Sequence, residues 1–92
     1  MTKQQKEDIK QIANHYGLRS QEDVAIEECS ELIKAILKRR RRIGELADIV
    51  DELADVEIMC KQLECLYGCE KMVEAKIDFK IARQRARMET GE

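Results

Sequence analysis

Residues Glu27 to Val56 read EECSELIKAILKRRRRIGELADIVDELADV, and how this stretch folds decides the whole chain. Leu32, Ile33, Ile36 and Leu37, then Leu46, Ile49, Val50 and Leu53, recur every three or four positions, the spacing of helices with one apolar side. Between them lies KRRRRIG, Lys38 to Gly44, a cationic exit that suits the negative end of a helix dipole, followed by a glycine. Two helices joined by so short a connection pack antiparallel. The acids do not suit such a hairpin. Glu28 lies one turn from Val24 and one turn from Leu32, so a carboxylate interrupts an apolar side.

Working outward, the spacing predicts a helix over about Gln21–Arg40, with Ser20 as N-cap and Asp23 in a capping-box-like position, and a second over about Glu45–Tyr67 that ends at Gly68. Before them, Ile9, Ile12, Ala13 and Tyr16 predict a helix over about Lys3–Tyr16, stopped by Gly17. After them, Met72, Val73, Ile77, Ile81 and Ala82 mark the inner side of a helix over about Glu70–Met88, followed by a polar tail at 89–92. There is no proline, only four glycines and few aromatics. Composition and periodicity together predict an all-α domain of residues 1–92, a four-helix antiparallel bundle. A chain of 92 residues builds a thin core, so a homo-oligomer is expected.

Charge and cysteine content exclude several classes. The formal net charge is −2, which names no partner. No apolar run is long enough to cross a bilayer and no leader follows Met1, so an intracellular, cytoplasmic protein is expected. Cys29, Cys60, Cys65 and Cys69 form no CxxC pair and His15 is the only histidine, a poor set for zinc. The thiols are expected to be reduced and mostly buried. The run Lys38–Arg42 spreads around its helix and has no aromatic platform, so it reads first as a solvated helix end, with nucleic acid or a neighbouring phosphate as the alternative.

The acids carry the functional reading. Glu28 and Glu31, three apart, share one side of their helix, and Glu52 and Asp55 do the same on the next, with Asp48 and Asp51 extending the stripe. Twenty residues separate Glu31 from Glu52, so antiparallel packing brings both pairs to similar heights. Four converging carboxylates repel and resist ionisation. A hard divalent cation relieves both effects, and an all-oxygen donor set favours Mg²⁺, with Mn²⁺ as substitute. Glu7, Glu22, Glu57 and Glu64 read as ordinary surface acids.

EECSE, Glu27–Glu31, and ELAD, Glu52–Asp55, match an EExxE element followed by an ExxD element. From about Gln21 to Arg87 the chain resembles the MazG-like all-α nucleoside triphosphate pyrophosphohydrolases, relatives of the dimeric dUTPases and dCTPases. The resemblance implies a helical bundle assembling as dimers or tetramers. It implies Mg²⁺-dependent cleavage of a nucleoside triphosphate between the α- and β-phosphates, giving a monophosphate and pyrophosphate. By position it makes Glu28, Glu31, Glu52 and Asp55 metal ligands and gives Glu27 a supporting catalytic part. Basic residues on a late helix reach the phosphates in that family, which points to Lys76, Lys80 and Arg83. Gln21, two turns before Glu28 on the same side, is a candidate for contact with the base, and Asn14, His15 and Tyr16 are others near it.

Two rival readings remain at the level of sequence. One is a non-catalytic helical homo-oligomer whose acids set partner choice. The other is a carboxylate di-iron bundle, which needs ExxH on two helices, and neither acid pair is followed by histidine.

Overall fold

The computed structural model describes residues 1–91, and these contain four helices and no strand. They are α1 (Lys3–Tyr16), α2 (Leu18–Arg40), α3 (Leu46–Tyr67) and α4 (Glu70–Glu89). α1 begins with a capping box in which the Thr2 hydroxyl accepts from the Gln5 N–H and the Gln5 side chain accepts from the Thr2 N–H, pairing two otherwise orphaned donors. At the start of α3 the Asp48 carboxylate accepts from the Glu45 N–H, and the Asp48 N–H donates to the Glu45 backbone carbonyl.

α2 starts three residues earlier than the sequence predicts. Ser20 lies inside its first turn and caps nothing; Gly17 both ends α1 and starts α2. Its φ of 85° and ψ of 166° fall where only glycine sits without strain, while nothing lies within 4 Å of an added Cβ. The cost of a side chain there is therefore backbone conformation alone. Gly17→Ala is expected to lower unfolding free energy by about 2 kcal/mol in urea titration.

α2 and α3 form the central antiparallel hairpin, and α1 lies across them, chiefly on α3. The hairpin turn is tight: a Cβ on Gly44 would come within 3.1 Å of the Lys38 Cβ and 3.3 Å of the Arg39 nitrogen. At its far end the Tyr67 hydroxyl donates to the Glu22 carboxylate, tying the end of α3 to the start of α2. Ile9, Ala13, Ala25, Ala35 and Met59 are the buried apolar residues, an alanine-rich core that lets the helices approach closely.

Three expectations are corrected here. The four helices accord with the expected helical bundle, but α4 meets only α3 and has no buried residue, so its expected inner side is not one. Met72, Ile77, Ile81 and Ala82 face solvent and only Val73 is half-buried, because in the single chain α4 has no helix opposite its apolar side. Cys29 and Cys60 are exposed and Cys65 and Cys69 half-covered; all four are free thiols. Glu64 is buried, with its carboxylate 3.5 Å from the Lys61 ammonium, so it is no ordinary surface acid.

The consequence is an open shape. The radius of gyration is 15.9 Å, against about 12 Å for a compact chain of this length. Accessible surface is 7522 Å², about 2000 Å² more than a folded monomer of this mass exposes. Among the described residues no helix is long and apolar enough to cross a membrane.

Candidate metal centre

The antiparallel register of α2 and α3 places Glu28 opposite Glu52 and Asp55. One carboxylate oxygen from each lies within 4.8 Å of the other two, and all three residues are half-buried. Val24 and Leu32 before and after Glu28, and Val56 after Asp55, are half-covered too, so the acids sit in the helix seam and not on the outer surface.

Electrostatics follow from that placement. Burial, then the charge of Asp55 and hydrogen bonding to it, then the same from Glu52, push the Glu28 carboxyl up to about 7. Glu52 is raised as well, first by burial and then by Asp55, while hydrogen bonding with Glu28 acts in the opposite direction. The closeness of the three acids thus disfavours ionising all of them together. One oxygen of Glu52, Oε2, is buried without any hydrogen-bond partner. A buried carboxylate oxygen with nothing to accept from is costly unless a cation or donor arrives.

The remaining predicted residues are distributed unevenly. Glu31 is outside the triad: its Oε1 lies 3.4 Å from the Lys34 ammonium. It is still close enough for its charge to raise Glu52, and the two line one cavity of about 230 Å³ with Lys34, Ala35, Lys38 and Asp48. Glu27 is exposed, on the side of α2 away from the seam. Gln21 is buried at 4% exposure, and its Oε1 has no hydrogen-bond partner. Asn14, His15 and Tyr16 are exposed at the end of α1, where the His15 and Tyr16 rings meet edge to face at 4.8 Å.

Lys76 and Lys80 line a separate hollow with Met72, Val73 and Ile77, and none of the carboxylates borders it. Lys76 and Arg83 lie over the Phe79 ring, each 5.8 Å from its centre. Within one chain the α4 lysines and the acids therefore border different cavities. Sequence reasoning missed Lys34 and Lys38 as neighbours of the acids. The signal was present: Lys34 stands three residues after Glu31, a spacing that pairs charges along a helix.

Comparison of the chain with protein families, with curated proteins and with solved structures gave no match.

The donor set fits a hard divalent cation. Three carboxylates from two helices lie within reach of one point, one oxygen is unpartnered, and no thiol or imidazole is among them.

Proposed function

We propose that the chain is a Mg²⁺-dependent nucleoside triphosphate pyrophosphohydrolase of the MazG-like kind, acting in the cytoplasm on unwanted nucleotides. The observation that carries this reading is the Glu28–Glu52–Asp55 triad with the orphaned Oε2 of Glu52, which accords with the EExxE and ExxD elements. In this reading Glu28, Glu52 and Asp55 hold the cation and Glu31, one turn along α2, completes the oxygen set, with Mn²⁺ able to replace Mg²⁺. A bound Mg²⁺ would neutralise the acids toward a polyanionic substrate and polarise its phosphoryl oxygens. Binding needs Glu28 in its ionised form, which burial and then its neighbours Asp55 and Glu52 disfavour. Gln21 offers its unmade hydrogen bond to the base, and Glu27 assists from the outer side of α2.

The same reading calls for self-association as a dimer or tetramer. The surplus of about 2000 Å² of surface is of the size each partner of an obligate dimer buries. On the side of the hairpin away from α1, Ile26, Cys29 and Ile33 of α2 and Leu63 of α3 line an open apolar groove. Ile26 is 71% and Ile33 59% exposed, as are several apolar residues of α4. A second copy laid on these faces would supply the packing α4 lacks and could carry Lys76, Lys80 and Arg83 to the phosphates. Ile33→Asp is expected to raise the dimer dissociation constant at least about thirtyfold, read by sedimentation velocity across a concentration series.

The decisive assay is pyrophosphate release from a panel of dNTPs and NTPs, with Mg²⁺ and with EDTA. Release that needs Mg²⁺ supports the reading. Release of orthophosphate with a diphosphate remaining, or no turnover of any member, refutes it and leaves the acids as determinants of a helical interaction module.

A further inference from the structure

The cavity beside the triad holds two lysines that the reading above does not use. Lys34 and Lys38, one turn apart on α2, line it together with Glu31, Asp48 and Glu52. We propose that Lys34 and Lys38 form a phosphate subsite in the same protomer as the triad, which receives the terminal phosphates of a metal-bound polyphosphate. This rests on the pyrophosphohydrolase reading for its substrate, but not for its geometry.

Three observations place the subsite. First, Lys34 is held only by Glu31, at 3.4 Å, with the two side chains 61% and 43% exposed. An ion pair that exposed is weak and readily exchanged. A phosphate oxygen is a stronger partner for an ammonium than a solvated carboxylate held by one contact. Second, among the described residues Lys38 has no carboxylate within ion-pairing distance, although Asp48 and Glu52 line the same cavity. Asp48 is already engaged as the acceptor for the Glu45 N–H at 3.0 Å. Third, the order along α2 is Gln21, Glu28, Glu31, Lys34, Lys38, so the polar groups run from the amide through the acids to the cations. The six residues from Glu28 to Lys34 span about 9 Å along the axis. Beyond Lys38 follow Arg39–Arg42, so positive charge is concentrated at this end of α2.

The exchange has a second effect. When a phosphate oxygen takes Lys34, the Glu31 carboxylate is released beside Glu52, whose charge environment it already shares. Lys34 is therefore a competitor for Glu31 in the empty site and a phosphate ligand in the filled one. No atom is transferred and no bond is made or broken beyond these contacts.

The test is calorimetric binding on the full-length protein with two probes, Mn²⁺ alone and inorganic pyrophosphate in the presence of Mg²⁺. Lys34→Ala and Lys38→Ala are each expected to weaken pyrophosphate binding about tenfold. Lys34→Ala is expected to bind Mn²⁺ more tightly than the wild type, because Glu31 loses its competitor. Lys38→Ala should leave Mn²⁺ affinity unchanged, and Lys10→Ala on α1 should alter neither, which separates the subsite from general charge. A wild type that binds no pyrophosphate, or lysine variants that bind it as Lys10→Ala does, overturns the subsite. Mn²⁺ affinity equal in Lys34→Ala and wild type overturns the exchange of Glu31. A wild type that binds pyrophosphate through these lysines yet turns over no triphosphate upholds the subsite and removes the enzymatic reading.

Discussion

Asp55→Asn is expected to release pyrophosphate from its best triphosphate about a thousandfold more slowly than the wild type, and yet to melt at a higher temperature when metal-free. The first effect follows from charge. Asp55 supplies one of the three convergent oxygens. An amide there would be a neutral, weaker donor to a hard cation, and in the proposed mechanism several kcal/mol of transition-state stabilisation would pass through that cation. The second effect follows from the same charge acting in the empty site. Asp55 is the leading charged neighbour that raises Glu28 and Glu52. Removing it relieves repulsion, and the amide can donate to the orphaned Oε2 of Glu52. Steady-state turnover and a melt in EDTA at pH 8 check the two halves. Full turnover by the variant refutes the assignment of Asp55. A variant that is both inactive and less stable points instead to a fold that needs the carboxylate.

The second large effect is a pH-dependent response to Mg²⁺. Glu28 stands near 4.5 in the unfolded chain and about 7 in the folded one. The folded state therefore binds the extra proton, and between those values stability falls as pH rises. Below about 4.5 both states are protonated and the contribution is absent; above 7 the full penalty of ionising Glu28 has been reached. Mg²⁺ reverses that penalty, because it needs the ionised form. The rise in Tm on adding Mg²⁺ should thus be small at pH 5.5 and large at pH 8, and binding near pH 7 should release a proton, seen as a buffer-dependent enthalpy. A Tm that rises equally at both pH values would mean that the ion binds elsewhere.

The helices were legible because apolar spacing over fourteen to twenty-three residues leaves little choice of element. The meeting of Glu28 with Glu52 and Asp55 was also legible, since a short hairpin connection fixes the register of α2 against α3. Where the sequence misled, the reasons are specific. Ser20 and Asp23 have the chemistry of a cap, but Gly17 alone separates α1 from α2 and leaves Ser20 already helical. Spacing put Glu31 on the side of Glu28, yet it could not weigh Lys34 as a nearer partner than a second acid. On α4 the apolar stripe told which side wants cover but not whether the same chain provides it. Cys29 faced the same ambiguity: an apolar setting along α2 proved to be the open groove and not the core.

The looseness of α4 divides labour within the polypeptide. The acids stand on a hairpin braced by α1, whereas the late cations stand on an arm that the hairpin does not need for its own packing. In the proposed reading, changes along that arm would retune which polyanion is gripped without disturbing the acids on the hairpin, and changes among the acids would not re-register the arm. Such a layout would let specificity drift while the proposed chemistry stays put.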